Sequence, residues 1–241
     1  MAMKYKVVSD DLREKIEDGT YRPNDQLPSI EALCRLYSVS KITIKKALDE
    51  LEATGLISRR RGSGSFVKNA RPMLGGTPGN FETSGQMAGF MAEHKALNQT
   101  VTSEVKDFQV VRPPKDVAEC LGIEPDQFTY HIIRIRLADK QALAIEYTYM
   151  PIDLIPNLRE KTLHASIYAY IEGDLGLKIA SAHRVVRAVL PTKDEVAWMG
   201  IKSGSPLLEV EQVGFLDDGT PFEYSISRHP NGYEFRSISM R

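Results

Sequence analysis

Two arginines spaced two residues apart are the clearest candidates for ligand chemistry in this 241-residue chain. Arg134 and Arg136 lie in the alternating segment Ile133-Arg134-Ile135-Arg136-Leu137, a pattern typical of a β-strand. In such a strand the two guanidinium groups point to one face and the aliphatic side chains to the other. Guanidinium groups roughly four to six ångströms apart suit a phosphate or a carboxylate. The alternative is an exposed strand face on which both arginines pair with acidic neighbours.

A second group of residues has the composition of a DNA-binding surface. Ser40 is expected to cap a helix that runs to about Thr54, with Ile44 and Leu48 in its core stripe. The opposite face is basic, and lysines there can contact guanine edges or phosphates while an isoleucine rests on a thymine methyl. The alternative is a solvated helix face. The predicted DNA contacts from this helix are Ser40, Lys41, Ile42, Thr43, Lys45 and Lys46.

A short hairpin after this helix adds a second basic element. Leu56–Arg60 and Ser65–Lys68 alternate as two strands, and a glycine-rich tip joins them. Glycines let the tip approach the sugar-phosphate backbone closely, so that arginines can reach phosphates or the minor groove. The residues predicted to do this are Arg59, Arg60, Arg61, Gly62, Ser63 and Gly64.

Three helices followed by a hairpin must position these residues. Apolar residues at helical spacing predict a first helix from about Lys4 to Asp18, and Ser29 is expected to cap a short second one. Together with the third helix and the hairpin they predict a winged helix-turn-helix over residues 1–68, with the third helix in the major groove. Charge agrees, because residues 1–70 carry 13 Lys and Arg against 10 Asp and Glu, whereas residues 71–241 carry 18 against 22.

The rest of the chain predicts a linker at 69–80 and a second domain over 81–241. A weak internal repeat relates 117–123 to 196–201, each a helix that ends at a Gly-Ile step before alternating strands. Glu146 and Glu223 close the second strand of each copy, where they could bind hydroxyl or amide groups or serve the fold. A helix is predicted from Leu163 to about Asp174. Two helix–strand–strand units indicate an α+β domain around one antiparallel sheet.

Composition excludes several other classes of protein. No apolar run is long enough to span a membrane, and the first residues lack the apolar stretch of a secretory signal, so a cytoplasmic location is expected. Cys34 and Cys120 are the only cysteines and are read as reduced thiols. The five histidines lack metal-ligand spacing, and no catalytic motif is present. We therefore predict no metal, no other cofactor and no enzyme activity.

The N-terminal region resembles the DNA-binding domain of the GntR superfamily. The resemblance covers residues 4–68 and rests on Leu27-Pro28-Ser29, on the segments 39–48 and 51–57, and on Gly62-Ser63-Gly64-Ser65-Phe66-Val67. Lys41 and Lys45 stand where that family more often has arginine. The resemblance implies sequence-specific binding to duplex DNA.

Residues 81–236 resemble the effector domain of the HutC-type branch, which has a chorismate-lyase-like fold. The matching segments are 133–139, Ile145-Glu146, Ser166-Ile167-Tyr168 and 218–224. In the members that sense sugar phosphates, the resemblance implies phosphate contacts from arginine and serine and sugar contacts from glutamate and tyrosine. The implied effector-binding residues are Ser84, Arg134, Arg136, Glu146, Ser166, Tyr168, Glu223 and His229.

These observations predict a cytoplasmic transcription regulator with two kinds of ligand. Its DNA partner is expected to be a palindromic operator bound by a homodimer that forms through the second domain. Its small-molecule partner is expected to be a phosphorylated metabolite, such as a sugar phosphate or amino-sugar phosphate, that releases a repressor from DNA. A non-phosphorylated carboxylate metabolite is the alternative effector.

Overall fold

The structure, a computed structural model, describes residues 3–60, 62–68, 101–139 and 141–230. The helices in this part of the chain are α1 (Lys4–Glu17), α2 (Ile30–Tyr37), α3 (Lys41–Ala53), α4 (Lys115–Leu121), α5 (Glu160–Leu163), α6 (Ile167–Ala169, continued by a π-helical turn over Tyr170–Asp174) and α7 (Lys193–Met199). The strands are β1 (Ile57–Arg60), β2 (Gly64–Val67), β3 (Val101–Val111), β4 (Thr129–Ala138), β5 (Gln141–Pro151), β6 (Ile179–Val189), β7 (Leu207–Leu216) and β8 (Pro221–His229). Arg61, Ser84 and the predicted linker lie outside the described residues.

The three N-terminal helices pack around one small apolar core, as the sequence predicts. Leu12 of α1, Leu33 of α2 and Ile44 of α3 are fully buried in it. The side chain of Ser29 caps α2 by accepting from the amide of Ala32. β1 and β2 form the predicted antiparallel hairpin directly after α3. Helix α3 therefore packs against this core through its apolar stripe and exposes its opposite face to solvent.

The second region is built on a six-stranded antiparallel sheet with the order β3-β4-β5-β8-β7-β6. Its two halves have the same connectivity, because β3-α4-β4-β5 is followed by β6-α7-β7-β8. Gly122 and Gly200 end the two repeat helices in the left-handed conformation. The internal repeat predicted from the sequence is confirmed, and each copy also contains a strand before its helix.

Strand alternation sorts the sheet residues between two faces. Ile133 and Ile135 of β4 lie on the face that packs against Met199 of α7. Arg134 and Arg136 must then share the other face. On that face, Ile132 packs with Leu163 and Ile167 from the segment between β5 and β6. The arginines therefore point toward the side of the sheet that this segment covers.

The prediction of a single helix from Leu163 to about Asp174 is wrong over its first turn. Helix α5 ends at Leu163, and a new helix begins after Ser166. Ser166 causes the break, because its extended backbone and its hydroxyl, which accepts from the amide of Ala169 at 3.1 Å, make it an N-cap. Across the described residues, no helix is long and apolar enough to cross a membrane.

Candidate DNA-binding and effector sites

The outer face of α3 carries an apolar side chain between basic ones. Ser40 caps the helix by accepting from the amide of Thr43 at 3.2 Å, which fixes the first turn. Ile42 in that turn is 79 % exposed, the highest value among the exposed large hydrophobic residues described. Lys45 lies one turn further on and is also exposed. The face predicted to read DNA is thus open to a ligand.

Two lysines of the same face are held by neighbours within the domain. Lys41 Nζ lies 2.9 Å from the carboxylate of Glu31 on α2, and this exposed pair raises the pKa of Lys41. Lys46 Nζ lies 4.3 Å from the centre of the Tyr5 ring on α1, within range of a cation–π interaction. The ion pair of Lys41 is solvent-exposed and therefore weak, so a DNA phosphate can displace Glu31 from Lys41.

The hairpin arginines have different partners. Arg59 pairs with Asp49 and lies 3.6 Å from Glu52, both on α3, so it ties the hairpin to the helix. Arg60 instead lies 3.3 Å from the carboxylate of Asp217 in the sheet domain. The exposed tip contains Gly62 and Ser63, and Gly64 begins β2. Arg61 lies outside the described residues.

The two arginines of β4 are buried rather than solvated. Arg134 is 7 % exposed and Arg136 is 2 % exposed. Arg134 donates to Glu146 on β5 at 2.7 Å and to the carbonyl of Leu163 at 3.1 Å. Arg136 donates to the hydroxyl of Ser103 on β3 at 2.7 Å, and burial lowers its pKa. Arg134 and Arg136 therefore do not lie on an exposed strand face, although Arg134 does pair with an acidic neighbour, Glu146.

Glu223 forms the second polar centre of this face. It is 5 % exposed and accepts hydrogen bonds from Gln212 at 3.1 Å and from Ser225 at 2.6 Å. Burial raises the pKa of Glu223, and the negative charge of Glu146 raises it further. A raised pKa shifts this carboxyl group toward its protonated form relative to a glutamate in water.

Tyr168 joins this centre, whereas Ser166 does not contact it directly. The hydroxyl of Tyr168 accepts from Gln212 at 3.2 Å, and its ring packs edge-on against Phe222. Burial, together with the charge of Glu223, raises the pKa of Tyr168. Ser166 caps α6 and lines an open cavity of about 680 Å³ with basic residues such as Arg159. Its hydroxyl thus has a structural role at the start of α6.

His229 lies at the far end of β8 from Glu223. Sheet register places Ile145 opposite Arg228, so His229 is one residue further along and close to the strand position of Arg136. Its ring is hydrogen-bonded to Ser227 at 2.9 Å and is 8 % exposed. The register therefore places His229 on the same face of the sheet as Arg136, at the end of that face where Arg136 lies. Ser84 lies outside the described residues.

Four polar residues of this face were not predicted as site residues. Ser103 contacts Arg136, and Gln212 links Tyr168 to Glu223. Ser225 and Ser227 follow Glu223 at two-residue steps along β8, so alternation puts them on its face. The same alternation rule could have found these serines from the sequence. Gln212 occupies in β7 the position that Arg134 occupies in β4, the sixth of each strand.

The N-terminal region is a helix-turn-helix followed by a hairpin, and the sheet domain has a buried polar face. This combination defines a DNA-binding protein with a ligand-binding domain. Residues 4–67 match the family described as bacterial regulatory proteins, gntR family, and residues 96–233 match the UTRA domain. The chain belongs to the GntR family of transcription regulators, in the HutC-type branch that carries a UTRA effector domain. The predicted family, fold class and absence of enzyme activity are confirmed.

Similar proteins span nearly the whole chain. The HTH-type transcriptional regulator GmuR of Bacillus subtilis is 36 % identical over 226 residues, which cover 94 % of this chain and 93 % of GmuR. The mannosyl-D-glycerate transport/metabolism system repressor MngR of Escherichia coli is 29 % identical over 238 residues, with coverage of 98 % and 96 %. Both are regulators in name, and MngR is a repressor.

Solved structures show the same fold. The possible transcriptional regulator YydK from Bacillus subtilis aligns over 100 % of both chains with a TM-score of 0.57 and 28 % identity. A GntR-family regulator from Bacillus cereus aligns with 58 % of this chain and 99 % of its own, with a TM-score of 0.52 and 37 % identity. The likeness to YydK includes both the helical and the sheet regions described above.

Proposed function

We propose that this chain is a repressor that leaves its operator when a sugar phosphate or amino-sugar phosphate binds to the sheet domain. The residues proposed to bind the phosphate are Arg134 and Arg136, and those proposed to bind the sugar are Glu146, Tyr168 and Glu223. Ser84, Ser166 and His229 complete the proposed effector site. The protein acts in the cytoplasm.

The buried arginine pair carries this proposal. Glu146 lies 2.7 Å from Arg134 and 4.0 Å from Arg136, so a single carboxylate faces two cations in this part of the described structure. The Nε of Arg134 is buried and has no hydrogen-bond partner among the described residues. Buried cations are costly unless they are paired and hydrogen-bonded. A phosphate would supply both the missing charge and an acceptor.

The other end of this face of the sheet has the polar groups needed to bind a sugar. Glu223, Gln212 and Tyr168 form a hydrogen-bonded group that can both donate and accept, as hydroxyl recognition requires. The relatives agree with a carbohydrate effector, since one is a mannosyl-D-glycerate system repressor and another a probable fructoselysine utilization operon repressor.

A carboxylate effector is the second candidate. Guanidinium groups bind carboxylates as readily as phosphates, in the same two-pronged geometry. The name of MngR favours this option, because glycerate carries a carboxylate and no phosphate. The two candidates differ in charge and in the number of acceptor oxygens, so the same binding experiment separates them.

We propose that a homodimer binds a palindromic operator through α3 and the hairpin. Ile42 and Lys45 are exposed residues of the predicted reading face, and the remaining predicted contacts are Ser40, Lys41, Thr43, Lys46, Arg59, Arg60, Arg61, Gly62, Ser63 and Gly64. Two copies related by a twofold axis match two half-sites one helical turn apart. Sedimentation of the full chain should give the mass of a dimer.

Titration of a protein–operator complex tests the effector. The operator is selected from random duplex DNA with the purified protein, and the complex is titrated with hexose 6-phosphates, hexosamine 6-phosphates, a glycoside of glycerate and their neutral parents. Release by a phosphorylated sugar at concentrations where its neutral parent has no effect supports the proposal. Release by the glycerate glycoside alone supports the carboxylate candidate. Equal release by neutral sugars contradicts both.

A further inference from the structure

The hairpin lies directly against the sheet domain. Ser58 of β1 donates from its hydroxyl to the backbone carbonyl of Asp217 at 3.0 Å, and Arg60 Nε lies 3.3 Å from the carboxylate of the same residue. On β6, the ring of His183 is hydrogen-bonded to the carbonyl of Gly55 at 3.1 Å. We call the sheet-domain residues that contact the hairpin region the wing-docking surface: His183, Phe215, Asp217 and Gly219.

The fit between the two surfaces depends on glycine on both sides. Gly219 has a φ of +88°, and a Cβ there would lie 3.2 Å from the carbonyl of Val67 and 3.5 Å from the hydroxyl of Ser58. Gly55 has a φ of +74°, and a Cβ there would lie 2.3 Å from Nε2 of His183, which is far inside van der Waals contact. Both positions thus combine a left-handed backbone with a close approach between the domains.

Lys68 at the base of the hairpin is buried by this contact. It is 5 % exposed, and its ammonium group lies 5.2 Å from the centre of the Phe215 ring. Burial lowers the pKa of Lys68 to about 8. A basic residue of the hairpin region is therefore turned toward the sheet domain and away from any phosphate outside it.

Asp217 places a negative charge beside Arg60, which the proposed function assigns to DNA binding. Arg60 remains half exposed, but a phosphate that binds its guanidinium group would have the Asp217 carboxylate as a neighbour. Two anions at one guanidinium group repel each other. Contact with the wing-docking surface and contact with DNA are therefore in competition for Arg60.

We infer that the wing-docking surface binds the hairpin of this same chain and holds the DNA-binding domain in a form with reduced operator affinity. The observed affinity of the protein for DNA then equals the intrinsic affinity multiplied by the fraction that is undocked. Any ligand of the sheet domain that favours the docked form would lower operator affinity through the same equilibrium. The reduced affinity of the docked form rests on the DNA contacts of the proposed function and not on which effector binds.

Asp217→Asn tests the competition without disturbing the backbone contacts of residue 217. The substitution removes both the ion pair with Arg60 and the repulsion between the carboxylate and a bound phosphate, so we expect operator affinity to rise about three- to ten-fold. Asp218→Asn is the matched control, because Asp218 is the adjacent residue and bonds the amide of Thr220. Both variants change the net charge equally, so a rise confined to Asp217→Asn supports the proposal. Equal affinities for the two variants overturn it.

Ser58→Ala tests the docked form at a second contact. It removes the hydroxyl that donates to the carbonyl of Asp217 at 3.0 Å and leaves every residue assigned to DNA unchanged. We expect docking to weaken and operator affinity to rise about two- to ten-fold, as loss of one hydrogen bond from the docked form requires. Ser203→Ala, at an exposed serine of the sheet domain, is the control and should bind like the parent. Operator affinity of Ser58→Ala that equals that of the control overturns the proposal.

Discussion

Arg136 donates a hydrogen bond to Ser103 across β3 and β4 at 2.7 Å while only 2 % of its surface is exposed. A buried cation in this position is part of the packing as well as a candidate ligand contact. We expect Arg136→Ala to lower the free energy of unfolding by about 3 kcal/mol, because Ser103 loses its hydrogen-bond donor and a cavity is left. Arg136→Lys keeps the charge and should lose less. Urea denaturation of both variants measures the difference, and an unchanged midpoint for Arg136→Ala would contradict the burial.

Lys45 is the cleanest test of the reading face of α3. It is exposed, and the described residues include no ion-pair partner for it. We expect Lys45→Ala to weaken operator binding and to reduce the salt dependence by about one charge, without loss of stability. Lys115→Ala, at an exposed helical lysine of the sheet domain, is the control. Binding of the Lys45 variant that matches the control at every salt concentration would refute the assigned face.

Ile42 tests whether the same face reads bases. Its 79 % exposure means that Ile42→Ser should leave the unfolding free energy within about 0.5 kcal/mol of the parent. If Ile42 contacts a thymine methyl, the variant should lose about ten-fold in discrimination at one base position of the operator. Ile44→Ser, at a fully buried position two residues away, should instead unfold the domain. An Ile42 variant with unchanged base preference at every position would place Ile42 outside the DNA contact.

His183 should make the domain contact sensitive to acid. Burial, and then the charge of Lys68, lowers the pKa of His183 from 6.5 to about 4 in this structure. The folded form therefore binds fewer protons than the unfolded one, and stability falls as the pH drops from about 6.5 to about 4. Lys68, whose pKa is lowered to about 8 by burial, acts in the same direction at higher pH, where stability rises between about 8 and 10.5.

The variant His183→Gln should flatten the acidic limb of the stability profile. Unfolding free energies measured at several pH values between 4 and 7 give the slope. His131→Gln, which removes a histidine that lies beside Asp107 rather than at the domain contact, is the control. We expect the slope to fall in the His183 variant and to persist in the His131 variant, and an unchanged slope in the His183 variant would refute the assigned titration.

Local patterns in the sequence predicted most of the fold. Ser29 and Ser40 cap the helices they precede, and the repeat around Gly122 and Gly200 gives the two halves of the sheet. Spacing and capping are encoded within a few residues, so they can be read without tertiary information. Ser166 shows the limit, because its capping ability competed with a longer apolar period and only the packed structure shows which prevailed.

The site was predictable in its residue types but not in its contacts. Alternation placed Arg134 and Arg136 on one face, and the register then pairs Arg134 with Glu146. Nothing in the sequence showed that Arg60 would find its carboxylate at Asp217, or that Lys68 would be buried against Phe215. Those contacts join residues about 150 positions apart and depend on how two domains pack.

The central claim, an anion site at Arg134 and Arg136, is tested most directly by the double variant Arg134→Lys with Arg136→Lys. Lysine keeps both positive charges, so the fold and operator binding should persist, but it lacks the planar fork that holds a phosphate through two hydrogen bonds. We predict that the parent protein releases its operator with a hexose or hexosamine 6-phosphate, and that the double variant needs at least ten-fold more of it. Arg187→Lys, on the opposite face of the sheet, should respond like the parent. Release of the double variant at the parent's ligand concentration would contradict the account.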